Sequence, residues 1–186
     1  MQSVDDRSIG YGMLSDRFVE TEEWGRNVMA IGLEWAQPTD APEIAVLIAE
    51  LLEEIMATIG QRAFEVDVGR TTELAREWLT NRQCRIVLAR DSVAATAVGL
   101  LSLYEGYALY AGGRFGTMPE VYVRPAYRSQ GVGARLIREA VAFGLERQWK
   151  RLEVNTPPLP AFERSLAFYE RQGFSPSGGR KLKLSL

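Results

Sequence analysis

The sequence predicts a mixed α/β domain, and three observations carry that expectation. Apolar residues keep a helical period in some segments and form strand-like runs in others, the two kinds alternate along the chain, and no internal repeat, low-complexity stretch or linker divides them. The order reads strand, two helices, three strands, helix, strand, helix, strand. At 186 residues with 46% hydrophobic composition, the chain is long enough to bury one ordinary core.

Val28 to Trp35 reads as the first strand, and Gln37-Pro38-Thr39-Asp40 breaks it. Asp40 with Glu43 three residues later has the spacing of a capping box. Ile44, Leu47, Ile48, Leu51, Leu52, Ile55, Met56 and Ile59 then follow the period of one buried helix face up to Gly60. Gln61 to Arg70 has no helical period, whereas Thr71 to Leu79 reads as a short second helix with Leu74 and Trp78 turned inward. Cys84 to Ala89 and Ala94 to Leu103 form a hairpin pattern around Asp91-Ser92.

Tyr104 to Gly116, rich in Gly and Tyr, reads as a loop or irregular hairpin, and Met118 to Val123 as a fourth strand stopped at Arg124-Pro125. Val132, Leu136, Ile137, Ala140, Val141 and Leu145 make an amphipathic helix that starts at a glycine-rich turn. Leu152 to Asn155 is a short strand. After Pro157-Pro158-Leu159-Pro160, the residues Phe162, Leu166, Phe168 and Tyr169 mark a last helix closed by Gly173, and Lys181 to Leu186 is a terminal strand. Trp24, Trp35, Trp78 and Trp149 are most simply core or half-buried residues.

Composition narrows the chemistry. A net charge of −2 gives no bulk drive towards nucleic acid or anionic lipid. With 0 His, Ser-His-Asp and Cys-His catalysis and His-ligated metal are excluded. The single cysteine, Cys84, cannot form an internal disulfide and reads as a buried thiol in a reducing compartment. Residues 1–27 are acidic and lack a signal-peptide run, and the least polar stretch, Val93 to Leu103, is too short to cross a bilayer. A cytoplasmic protein without a membrane segment is expected.

Arg128-Ser129-Gln130-Gly131-Val132-Gly133-Ala134 lies between a strand and a helix, so its backbone N–H groups are the unpaired donors of a first helical turn, which attract phosphate. A dinucleotide fingerprint would want glycine at Leu136, and the Gly-Lys-Ser/Thr of a P-loop is absent.

The stretch from Val121 to Gly133, with Val123-Arg124-Pro125 followed by Arg128-Ser129-Gln130-Gly131-Val132-Gly133, closely resembles the acyl-CoA signature of the GNAT superfamily of N-acetyltransferases. A second match, Ser165 to Phe174, is similar to that family's late helix, which usually reads A-x-x-F-Y-x-x-x-G-F. The resemblance covers residues 28–186 in order of elements and 118–174 in recognisable residues, leaving 1–27 as an N-terminal extension. It implies a twisted mixed sheet of about six to seven strands flanked by about four helices, splayed between the fourth and fifth strands, where the pantetheine arm of CoA inserts.

On that resemblance, backbone N–H groups of Gln130, Gly131 and Gly133 hold the pyrophosphate, with Arg128, Ser129 and Ala134 lining the turn. Val121 and Val123 pair with the pantetheine, one of them polarising the thioester carbonyl. Tyr169 aligns with the tyrosine that donates a proton to the departing thiolate, and its spacing equally fits a core residue. Phe162 stands where the family often has Asn.

Acetylation of an amine needs a proton acceptor, and without histidine a carboxylate or a water chain must serve. Glu120 is the first candidate, with Glu105 and Asp67 behind it; each also reads as an ordinary exposed residue. Tyr104, Tyr107, Tyr110 and Phe115 cluster where the family builds its acceptor pocket, so Glu105, Tyr107 and Tyr110 are the substrate-binding candidates. The resemblance implies direct acetyl transfer from acetyl-CoA to a primary amine, with a small cationic amine foremost and no metal. An aminoglycoside-like or protein amine, or a non-catalytic acyl-CoA sensor, stays open, as does a homodimer.

Overall fold

A computed structural model describes residues 30–177 and Leu184. The expected terminal strand at 181–186, the extension at 1–27 and the start of the first strand at 28–29 lie outside these residues, apart from Leu184.

The elements run β1 (Ile31–Trp35), α1 (Ala41–Ile59), α2 (Val68–Thr80), β2 (Arg85–Asp91), β3 (Thr96–Ala108), β4 (Gly113–Met118), β5 (Val121–Val123), α3 (Val132–Glu146), β6 (Leu152–Val154) and α4 (Glu163–Arg171). They form a sheet ordered β1-β2-β3-β4-β6, with β5 also pairing to β3. All pairings are antiparallel except β4 with β6. Alternation along the strands separates two apolar layers. Val87, Ala89, Leu101, Leu103 and Met118 pack with Val132, Leu136, Ile137, Ala140 and Tyr169 on the face of α3 and α4. Ile86, Leu88, Leu100 and Tyr122 pack with Ile44, Leu47 and Ala75 on the face of α1 and α2.

Of the two readings of Tyr104 to Gly116, loop or irregular hairpin, the hairpin is found: β3 continues to Ala108, and Tyr104 to Ala108 pairs with Gly113 to Thr117, while three other local expectations need correction. The glycines suit that ladder, because a Cβ on Gly116 would lie 2.1 Å from the Trp149 ring. The expected fourth strand is two strands, broken at Pro119-Glu120. The second helix begins at Val68, with Asp67 as its N-cap accepting the Arg70 N–H at 2.8 Å, and it turns Ala75 inward while Trp78 is 43% exposed. Asp40 does not cap α1 through its side chain; its carboxylate accepts the Gln37 N–H at 2.7 Å.

Glu43 is used elsewhere. A β-bulge shifts the β2–β3 register between Ala89 and Arg90, so that Ala89 faces Gly99 while Arg90 faces Ala97. Glu43 Oε1 accepts the Ala97 N–H at 3.1 Å, and Glu43 Oε2 accepts from Arg90 at 2.7 Å. Burial alone would raise the Glu43 carboxyl, but these bonds outweigh it and hold it below the usual carboxylate range.

Glu43→Ala leaves the buried Ala97 N–H without its acceptor and is expected to cost about 1–3 kcal/mol at neutral pH, read by denaturant unfolding. Because the folded-state pKa is lowered, the ionised contribution is present above the unfolded value of ~4.3 and is lost as pH falls through the folded value. The stability gap between the two proteins should therefore narrow on acidification.

Candidate active site

The break at Pro119-Glu120 is a one-residue insertion against β3. Thr117 faces Tyr104 on one side of it and Val121 faces Leu101 on the other, so Pro119 and Glu120 together oppose Ser102. Pro119 has no N–H to leave orphaned there. Ser102 N–H donates to the Glu120 carbonyl at 3.0 Å, the Glu120 N–H donates to Ser102 Oγ at 3.1 Å, and the Ser102 hydroxyl donates to the Glu120 carboxylate. Ser102 alternates with Leu101 and Leu103, which face α3 and α4, so this pair lies on the opposite face. Protein atoms crowd the half-buried Glu120, and burial raises its carboxyl above the usual range against the lowering effect of the Ser102 bond.

The insertion also opens the sheet. Gly116 to Met118 pairs with Leu152 to Val154, whereas β5 has no strand on its outer edge among the described residues. Glu120 O and Arg124 N–H bond to Ser102 and Val98 of β3, and antiparallel alternation then directs the backbone groups of Val121 and Val123 towards the open edge. The Val123 carbonyl there accepts from Arg128 Nε at 2.7 Å.

Beyond β5, Ser129 has φ +63° and Gly131 φ +79°, which turns the chain sharply into α3. The first helical bond runs from Arg135 N–H to Gly131 O at 3.0 Å, and no backbone acceptor among the described residues takes the N–H groups of 129–134. This concave row of donors at a helix start fits a pyrophosphate. The Arg128 side chain is engaged elsewhere, its Nη1 and Nη2 forming a fork with Glu54 at 2.9 and 2.6 Å. Gly133 packs on α4, where an added Cβ would meet Phe168 at 3.2 Å.

Tyr169 is 9% exposed, between Phe168 and Phe174, and burial raises its phenol to about 12. Its hydroxyl makes no hydrogen bond among the described residues. Phe162 serves as the N-cap of α4 without a side-chain cap bond.

None of the expected acceptor residues bonds to Glu120 among the described residues, although the cavity that they line also holds Cys84, whose thiol is raised by burial and by the nearby Glu120 charge. Glu105 and Tyr107 line a cavity of about 420 Å³ with Arg82, Arg85 and Arg147, beside the C-terminal end of α3. Burial would raise the Glu105 carboxyl, but bonds from Tyr107 (2.6 Å), Trp149 (2.6 Å) and Arg147 (3.2 Å) outweigh it and lower it. Tyr110 is 78% exposed, with the Arg151 guanidinium 4.7 Å from its ring. Asp67 is occupied as a helix cap. Ser102 had no motif to mark it; its one signal is a hydroxyl inside the apolar run from Val98 to Leu103.

Several solved structures share this fold. A ribosomal-protein-alanine N-acetyltransferase from Brucella melitensis biovar Abortus 2308 superposes with a TM-score of 0.63 at 22% identity, covering 84% of this chain and 100% of that one. An aminoglycoside acetyltransferase from an uncultured soil metagenomic sample, in complex with sisomicin, gives 0.67 at 18% identity over 85% and 97%. A possible acetyltransferase from Clostridium difficile 630 gives 0.69 at 16% identity over 84% and 98%. No curated protein matches the chain in sequence. The family model "Acetyltransferase (GNAT) family" matches residues 52–174, which span the inserted strand, the donor turn and the late helix, and the chain therefore belongs to the GNAT acetyltransferases.

Proposed function

We propose that this acyltransferase moves the acetyl group of acetyl-CoA directly to a primary amine in a ternary complex, with a small cationic amine as acceptor. The observation that carries the reading is the insertion at Pro119-Glu120, where an open strand edge and a half-buried carboxylate lie at one point of the sheet. Acetyl-CoA, the family's co-substrate, supplies the activated acyl group when bound. The N–H groups of Gln130, Gly131, Gly133 and Ala134 would hold its pyrophosphate, beside Ser129, with Arg128 acting indirectly by fixing the turn to β5. Val121 and Val123 would align the pantetheine by backbone bonds, and one N–H would polarise the thioester carbonyl.

Glu120 would bind the incoming ammonium and accept its proton, directly or through one water. Its raised pKa brings it nearer to neutrality, where a general base works best. Tyr169 would donate a hydrogen bond to the departing sulfur. Cation recognition rests on Glu120 rather than Glu105, whose carboxylate is already bonded by Tyr107, Trp149 and Arg147. The lone cysteine, Cys84, suits a cytoplasmic setting.

Gly131→Val forces a branched side chain into a left-handed turn with open space around it, so strain rather than collision should displace the donors. CoA affinity measured by calorimetry should fall at least about tenfold in a folded variant, in line with the loss of anion-directed N–H bonds; unchanged affinity would remove the cofactor assignment.

Tyr169→Phe keeps the ring and deletes the hydroxyl. Turnover should fall by about 10²-fold, as for the loss of one hydrogen bond aimed at charge that develops in the transition state, with CoA affinity retained. Wild-type single-turnover rates would make Tyr169 a packing residue.

Glu120→Gln should lower kcat/KM for the amine, recovering partly at high pH as more substrate arrives deprotonated, with CoA affinity unchanged. It should also raise the unfolding temperature at neutral pH. The raised folded-state pKa means that ionising Glu120 opposes folding, so stability falls as pH rises through that pKa, and the neutral amide escapes this cost. A pH–rate profile identical to wild type would pass the base role to a water chain.

A further inference from the structure

The cavity beside the C-terminal end of α3 has a composition that acetyl transfer does not use. Its wall carries three guanidinium groups, from Arg82, Arg85 and Arg147, against the single carboxylate of Glu105. Glu105 is ionised and already bonded by Arg147, Trp149 and Tyr107. Arg85 is held differently. Its guanidinium carbon lies 5.0 Å from the Trp35 ring centre and 5.7 Å from that of Phe143, so two aromatic rings flank it within cation–π range. No carboxylate among the described residues pairs with it, and its side-chain N–H groups have no acceptor among the described residues. Arg82, at φ +56° just before β2, has no ion-pair partner among them either.

We propose that this cavity is a second anion site, taking a carboxylate or phosphate group of a small molecule, with Arg85 as the principal donor and Arg82 beside it. A guanidinium flanked by two aromatic rings and free of a carboxylate among the described residues offers paired donors to an oxyanion. The site is distinct from the glycine-rich donor turn: Gly131 caps one end of the 15-residue α3 and Arg147 the other, about 24 Å apart at 1.5 Å per residue. This second site goes beyond the acetyl-transfer reading and does not depend on it.

Trp149 in the wall and Trp35 under Arg85 make the site visible by intrinsic fluorescence. The full chain, with saturating CoA to occupy the phosphate-binding turn, is titrated with citrate and separately with inorganic phosphate at constant ionic strength, against sodium chloride alone. A saturable change with either anion is expected, and which anion gives it assigns the carboxylate or the phosphate. Arg85→Gln should weaken it at least about tenfold, since one oriented guanidinium–oxyanion pair is lost. Arg82→Gln lies outside the aromatic packing and should weaken it less, by about threefold, with an unchanged melting curve. If Arg85→Gln does not fold, the Arg82→Gln titration decides. A response reproduced by sodium chloride, or a folded Arg85→Gln protein that titrates like wild type, overturns the proposal.

Discussion

One inserted residue opposite Ser102 governs the geometry of the site. Were β4 to continue in register, residues 118, 120 and 122 would share a face; the insertion instead puts Met118, Val121 and Val123 on the α3 side and Tyr122 on the α1 side. The same step ends pairing with β6 after Met118 and leaves the edge of β5 open. It also removes one main-chain partner from the ladder, which Ser102 Oγ replaces by accepting the Glu120 N–H. A polar side chain is thus required within an apolar strand by backbone accounting, and the same hydroxyl then holds the Glu120 carboxylate.

Helix α1 braces this irregular region from one side. Glu43 completes the hydrogen bonding of the β2–β3 bulge, Glu50 forms a fork with Arg124 at 2.9 and 2.7 Å, and Glu54 forms one with Arg128. Glu50 and Glu54 are one turn apart on α1, and their arginines flank the short turn Pro125–Tyr127. Partly exposed ion pairs add little stability individually, but two forks on one helix fix the orientation of the segment leading into the donor turn. Arg128 consequently reaches Val123 O and Glu54, and on the proposed reading anion binding at the turn would be left to the backbone.

Much of this was legible in the sequence because it follows from period and punctuation. The apolar faces of α1 and α3 and the glycine turn are local properties, and the motif from Val121 to Gly133 marks where they meet. What escaped is non-local. The sequence leaves Tyr104–Gly116 between loop and irregular hairpin, and the hairpin prevails because β3 outlasts β2, whose pairing stops at Arg85 opposite Leu103, and finds its partners within itself. Trp78 faces outward because Ala75 is the residue small enough to approach α1 closely, which helical spacing alone does not reveal. Glu105 carries the right chemistry for an acceptor site, yet tertiary packing brings Arg147 and Trp149 onto it.

Burial raises both Glu120 and Tyr169, with opposite chemical consequences. For a carboxylate a raised pKa means a stronger base, so the packing that makes ionised Glu120 unfavourable also improves its hold on an amine proton. For a phenol it means a weaker acid. Tyr169 near 12 facing a thiol near ~8.5 would make complete proton transfer uphill by about 5 kcal/mol. On the proposed reading its contribution would be a hydrogen bond to sulfur, made in buried surroundings that oppose its ionisation. The work would then divide unevenly: proton removal from the amine would fall to Glu120, while Tyr169 would stabilise the departing sulfur without protonating it.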